Sequence, residues 1–225
     1  MSDSHRQFKD ALYPQFARVG QAISASKRIE LLDLLGQSER TVADLAELTA
    51  TPIKNTSAQL RVLHRAGLVE TRKASPHVFY RLADERVHEF VQQLQALAHA
   101  RFAEVERVTQ LYLDGRDDLE PISARELQRR MRAGDVTVID VRPREEFESG
   151  HIPGAMSMPI EQLKRGRVAP PKNREVVAYC RGRYCVYAVE AVTLLRKRGH
   201  RARRLVDGFP GWRRDGHTVA TGTEG

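Results

Sequence analysis

The sequence predicts two domains, a mainly helical one followed by an α/β one with a mainly parallel sheet. Three observations lead there. The 225 residues suffice for two units of about 100 residues, each large enough to bury its own core. Apolar residues recur at helical spacing in the first half, whereas in the second half short apolar runs alternate with helical segments. Between the halves lies the acidic, Gly- and Pro-containing stretch 114–121, which reads as a linker. The domains are therefore expected over 1–113 and 122–225.

Composition narrows the class. With 41% hydrophobic and 29% charged residues the chain reads as globular, with no run of the ~18 apolar residues a membrane span needs. The first ten residues have no signal-peptide character, so a cytoplasmic location is expected. Two cysteines do not make a disulfide framework, and chemistry is expected of them rather than scaffolding. The net charge of +8 is unevenly spread: +2 over 1–113, −3 over 114–121 and +9 over 122–225. Within the first part, residues 51–83 hold six Lys/Arg against the single acid Glu70. A local basic block of this kind is the footprint of phosphate contacts.

Phe8, Leu12, Phe16 and Val19 predict an N-terminal amphipathic helix. A second helix is expected over 24–35, stopping at Gly36. Thr41 opens a third, with Asp44 placed to cap it reciprocally. Thr51-Pro52 opens a fourth, with Pro52 at the first helical position, ending at Gly67. Residues 68–73 and 77–82, joined across Ala74-Ser75-Pro76, read as a β-hairpin. One long helix is expected over 84–113, its continuous apolar stripe suited to packing against a second copy of the chain.

Two short helices and a hairpin make a winged helix-turn-helix, a DNA reader. Its recognition helix over 52–65 presents Lys54, Asn55, Thr56, Ser57, Gln59 and Arg61, with Ile53, Leu60 and Leu63 expected inside. Arg72, Lys73, His77 and Arg81 on the hairpin would hold the DNA backbone. The runs Ser26-Lys-Arg-Ile-Glu-Leu-Leu-Asp-Leu-Leu, Thr41-Val-Ala-Asp-Leu-Ala-Glu and Ser57-Ala-Gln-Leu-Arg-Val-Leu-His-Arg-Ala-Gly-Leu-Val69 resemble the ArsR/SmtB family of repressors, as does Val78-Phe-Tyr-Arg-Leu82. The resemblance covers about residues 8–100. It implies a homodimer, formed through the N-terminal and 84–113 helices, that sits on operator DNA and leaves when an inducer arrives. Many members sense metals. Here the third helix lacks cysteine, and His88 and His99 stand with Arg86 and Phe102 where the zinc-binding members place further ligands. A closed zinc set needs four ligands, so neither a metal site nor any cofactor is expected.

In the second half, Ser123-Ala-Arg-Glu126 predicts a capping box and a helix to about Arg132. Residues 136–140 read as a strand, 145–149 as a helical turn and 155–159 as an extended piece. Val176, Val177, Ala178 and Tyr179 form a buried strand that ends on Cys180. A loop follows, then a helix to about Arg198 and a strand over 202–206. A thiol at a strand-to-helix turn faces backbone N–H groups and the positive end of a helix dipole, which stabilises a thiolate or persulfide anion.

The motif Asp140-Val-Arg-Pro-Arg-Glu-Glu-Phe-Glu-Ser-Gly-His-Ile-Pro-Gly-Ala155, with Cys180 and Gly208-Phe-Pro-Gly-Trp212, resembles a single rhodanese domain over residues 119–220. The resemblance implies that Cys180 carries sulfur as a persulfide taken from a sulfane-sulfur donor such as thiosulfate, a polysulfide or another persulfide. The loop amides of Arg181, Gly182, Arg183, Tyr184, Cys185 and Val186 would surround the outer sulfur. Arg181 and Arg183 would attract anionic donors, aided by the +9 of the domain, and Asp140 and Arg142 would fix the loop. Cys185 reads either as a small packing residue or as a resolving thiol. Three functions follow from the fusion: a repressor that senses sulfane sulfur at Cys180, a sulfurtransferase tethered to a DNA-binding domain, or a repressor answering arsenite or another thiophile.

Overall fold

The computed structural model describes residues 3–113 and 121–223. Most of the expected linker, 114–120, lies outside the described residues. The chain divides into two compact units, Met1–Ala100 and Arg101–Gly225.

The first unit opens with helix α1 (Asp3–Ile23) and α2 (Ser26–Leu35), the latter closed by Gly36. Strand β1 (Arg40–Thr41) leads into α3 (Val42–Leu48). Thr41 caps α3 as its sequence predicts: its hydroxyl accepts from the Asp44 N–H, and the Asp44 carboxylate accepts from the Thr41 N–H. Helix α4 (Ile53–Arg65) begins one residue later than expected, because Pro52 holds extended backbone (φ −54°, ψ 140°) and serves as its N-cap. Strands β2 (Val69–Ala74) and β3 (His77–Leu82) form the antiparallel wing. β1 pairs with β3 in the order β1-β3-β2, a strand too short to announce itself by alternation. The core gathers Leu31, Leu32, Leu45, Leu60, Leu63 and Val91, with α2, α3 and α4 contributing one face each.

The expected 84–113 helix is two helices. α5 (Glu85–Arg101) stops at Phe102, which is extended (φ −117°, ψ 110°) and caps α6 (Ala103–Tyr112). No proline or glycine marks this break, and the apolar stripe runs through it, so periodicity alone could not reveal it. The break coincides with the division between the two compact units.

The second unit is an α/β layer structure. Its helix α7 (Ala124–Ala133) is capped by Ser123, which accepts from the Glu126 N–H. The Glu126 carboxylate is engaged by Arg129 and Arg130 instead of completing the expected reciprocal box. β4 (Val136–Asp140) occupies the predicted span and is followed by α8 (Arg144–Ser149), β5 (Met156–Ser157) and a short α9 (Ile160–Lys164) that alternation did not signal. Then come β6 (Glu175–Tyr179), α10 (Val186–Lys197), β7 (Ala202–Arg204) and α11 (Gly208–Arg214). All strand pairs in this sheet are parallel, in the order β5-β4-β6-β7. β6 is central and buried, which explains its unbroken apolar run, and one core lies on each face of the sheet. In such a sheet, sites form beyond the C-terminal strand ends, where β6 delivers Cys180.

Candidate functional site at the cysteine loop

Cys180 follows β6 directly and is buried, whereas Cys185, the N-cap residue of α10, is partly exposed. The two are joined by a disulfide with Cα atoms 6.2 Å apart. That separation falls within the roughly 4.4–6.8 Å that a bridge permits. The five-residue spacing therefore closes a ring over the strand-to-helix turn.

The backbone of the turn is held from two sides. Within it, the Cys185 N–H donates to the Gly182 carbonyl at 3.2 Å, so that amide is already engaged within the turn. From outside, the Phe209 N–H donates to the Cys180 carbonyl at 2.9 Å. Gly208 makes this approach possible. Its φ is +57°, and a Cβ there would sit 2.4 Å from the Cys180 carbonyl oxygen and 2.6 Å from the Gly182 nitrogen. Only glycine fits both the left-handed backbone and the close contact.

Charged side chains brace the loop. Arg181 forms a fork with Glu146 of α8, Nη2 to Oε1 at 2.7 Å and Nε to Oε1 at 3.0 Å. Its guanidinium also lies over the Tyr187 ring, 5.3 Å from the centroid. This corrects the expectation that Arg181 attracts anionic donors: its charge is buried and already neutralised. Arg183 is exposed and pairs with Asp207 at 3.3 Å. Burial raises the Tyr184 phenol, Arg183 opposes this, and the carboxylates of Asp207 and of Glu106 on α6 add to it. Val186, the first residue of α10, is exposed.

Asp140 and Arg142 form a buried pair next to the segment that holds the loop. Both side chains are fully buried, with Arg142 Nη2 donating to Asp140 Oδ2 at 2.6 Å and to the Gly150 carbonyl at 2.7 Å. The Arg142 guanidinium lies 4.4 Å from the Phe209 ring centroid, so the pair supports the same segment that clamps Cys180. Beneath the loop, the Tyr179 hydroxyl accepts from the Ile152 N–H at 3.1 Å, and burial drives its pKa well upward. Sequence reading missed Glu146, Asp207 and Gly208 as site residues. Glu146 and Gly208 lay inside quoted motifs, but their partners are 26 to 35 residues distant.

The winged half distributes its expected contacts unequally. Lys54, Asn55 and Arg61 are exposed on α4, as are Lys73 and His77 on the wing. Thr56 is buried, and its hydroxyl donates back toward the Thr51 and Pro52 carbonyls, so it does not face outward. Ile53, expected inside, is instead 60% exposed: it shares a helical stripe with the buried Thr56, Leu60 and Leu63, but as the first residue of α4 it lies beyond the core. Ser57 is half-buried, and Gln59 Oε1 accepts from Arg28 at 2.8 Å. Arg72 pairs with Glu39 and Arg81 with Glu70, all four exposed enough to exchange partners. His88 is buried, bonds Gln92 at 3.0 Å and sits against Gly36, where a Cβ would overlap its ring. Among the described residues no three His, Cys, Asp or Glu side chains gather as a metal site would require.

Comparison with known proteins fits both halves. Residues 25–71 match the model of the arsR family of bacterial regulatory proteins, and residues 123–215 match that of the rhodanese-like domain. The HTH-type transcriptional regulator Rv0324 of Mycobacterium tuberculosis is 41% identical over 214 residues, covering 95% of this chain and 94% of that protein. The HTH-type transcriptional repressor SmtB of the same species is 35% identical over 80 residues, 36% of this chain and 58% of the relative. A sulfurtransferase of Allochromatium vinosum is 33% identical over 90 residues, 40% of this chain and 82% of the relative. A helix-turn-helix regulator joined to a rhodanese-like domain is thus the class. The chain belongs to the arsR family of bacterial transcriptional regulators, in the form that carries a C-terminal rhodanese-like domain. No helix among the described residues is long and apolar enough to cross a membrane.

Proposed function

We propose that this regulator represses transcription as a homodimer and senses sulfane sulfur at Cys180, releasing its operator when the cysteine loop is modified. The observation that carries the reading is the pairing of Cys180 with Cys185 across one turn. In the first step the Cys180 thiolate attacks a sulfur of a polysulfide, a sulfur–sulfur bond of the donor breaks, and the shortened polysulfide anion leaves. In the second, the Cys185 thiolate attacks Cys180 Sγ, the persulfide bond breaks, and hydrosulfide departs. The two thiols have then given two electrons to the transferred sulfur, and the loop is closed as a disulfide.

Exposed apolar side chains support the dimer. Phe8, Tyr13 and Phe16 on α1 and Leu97 on α5 are each about 60% exposed, a density of apolar surface that water disfavours. We place the route between the domains at α6. It belongs to the C-terminal unit, follows α5 with only Phe102 between, and carries the Glu106 carboxylate that acts on Tyr184 within the loop.

The experiment is release from DNA. Polysulfide is expected to dissociate the wild-type protein, and Cys180→Ser to remain bound. Cys185→Ser is expected to form a Cys180 persulfide that mass spectrometry detects without a disulfide. Release that persists in Cys180→Ser would overturn the reading. Rapid thiosulfate-to-cyanide transfer without any release would establish the tethered sulfurtransferase instead.

A further inference from the structure

The C-terminal domain carries a second concentration of charge away from the cysteine loop. Residues 164–174 hold five Lys/Arg and residues 196–204 hold six, with no acid in either segment. Just over half of the 21 Lys/Arg between 122 and 225 thus fall in twenty residues.

The fold brings these two segments to one edge. In a parallel sheet with crossover helices, helix C-termini and strand N-termini collect at the same end. Here α9 ends at Lys164 and α10 at Lys197, while β6 starts at Glu175 and β7 at Ala202. Arg198 joins them directly, donating to the Leu163 carbonyl at 2.8 Å and the Lys164 carbonyl at 3.3 Å. The Val176 N–H donates to the Arg201 carbonyl at 2.8 Å. Cys180 lies past the C-terminal end of β6, so this cationic edge is at the opposite end of the sheet from the cysteine loop. About half of the cations behind the domain's +9 thus sit at the end of the sheet away from the thiol.

Part of the charge is used within the domain. Lys164 pairs with Glu190 at 2.9 Å, Arg203 with Glu175 at 3.1 Å, and Arg196 donates to the Ala202 carbonyl. Cations in the last turns of α9 and α10 also complement the helix dipoles. Neither role accounts for Arg165, Arg167, Lys172, Arg174 and Arg201, which are exposed and have no carboxylate partner among the described residues. The cations are close enough to act on one another's surroundings: His200 is held below its ordinary pKa by burial and then by Lys172 and Arg198. Gathering like charges on one face opposes folding unless a polyanion offsets them.

We propose that this edge binds the phosphate backbone of duplex DNA, giving the rhodanese-like domain its own sequence-independent hold on nucleic acid. Charge complementarity and the chain's membership of a regulator family select DNA as the occupant. The proposal rests on the N-terminal domain's DNA-binding reading for its setting, but not for its chemistry.

The test uses the full chain and a mixed-sequence duplex, with affinity measured over a range of salt concentrations. Each phosphate contact adds about 0.9 to the slope of log affinity against log salt. Replacing Arg165, Lys172, Arg174 and Arg201 together by Gln is expected to lower that slope by about 3 to 4. Replacing the three arginines by Lys, with Lys172 left as it stands, is expected to keep it, which ties the loss to charge. A parallel Lys54→Gln, Asn55→Ala variant separates the two domains. If it has no effect while the four-site variant does, the reading of α4 fails and this one stands. An unchanged slope and affinity in the four-site variant would overturn the proposal. So would loss of binding to phosphatidylserine vesicles with duplex binding intact.

Discussion

The wing and the cysteine loop both depend on arginine–carboxylate pairs, yet the two sets are built for opposite ends. On the wing, Arg81 and Glu70 meet at 2.6 Å with side chains 53% and 45% exposed, and Arg72 pairs with Glu39 in similar surroundings. Under the loop, Arg142 and Asp140 meet at the same distance with both side chains wholly buried, and Glu146 beside Arg181 is wholly buried too. Distance alone would rank them equal; solvent separates them. An exposed pair is screened and contributes about 0–1 kcal/mol, so a phosphate can replace the carboxylate at little cost. A buried pair contributes little against an apolar substitute, but removing one partner leaves a charge with no water to receive it. The wing is therefore able to trade partners, and the loop is fixed in place.

The largest way to break this contrast is Asp140→Ala, which strands the Arg142 guanidinium. Denaturant unfolding of the C-terminal domain is expected to show a loss of about 3–5 kcal/mol. Next in size is Gly208→Ala, which adds a Cβ against the Cys180 carbonyl at a left-handed position. A cost of about 1–3 kcal/mol is expected, together with altered reactivity of Cys180 toward polysulfide. On the wing, Arg72→Ala is expected to change stability by no more than about 0.5 kcal/mol while lowering the salt slope of DNA binding by about 1. A stability loss comparable to that of Asp140→Ala would erase the distinction.

The smallest effect is an acid titration. Arg129 and then Arg130 hold the Glu126 carboxyl at about 2, below the ordinary value of 4.5. A carboxyl lowered in the folded state stabilises it above the unfolded pKa and loses that contribution as protons bind the folded form. The start of α7 is thus expected to weaken between about pH 4.5 and 2, and Glu126→Gln to remove that pH dependence.

What the sequence made legible follows the range of the forces involved. The α3 capping box, the span of β4 and the cysteine-bearing β6 are written in residues a few positions apart, and each could be read directly. The long motif at 140–155 located the domain but not its internal pairing. Glu146 finds Arg181 35 positions away, and no local pattern records that partner. The exchange at Ile53 and Thr56 has a different origin. Thr56 lies four and seven residues before Leu60 and Leu63 and so shares their buried face, while Ile53, the first residue of α4, has no core beside it. The Phe102 break escaped because apolar residues continue on both sides of it.

The burial of Cys180 gives the closed loop a direction in which it can be reset. A reducing thiol reaches a disulfide only through a sulfur it can approach, and of the two half-cystines Cys185 is the partly exposed one. Glutathione is therefore expected to form its transient mixed disulfide on Cys185, expelling Cys180 as a thiolate beneath the turn. Trapping and mapping that adduct would check the order. On the proposed reading sulfur enters the reduced loop at Cys180 and reducing equivalents enter the closed loop at Cys185, so the two steps use different sulfur atoms.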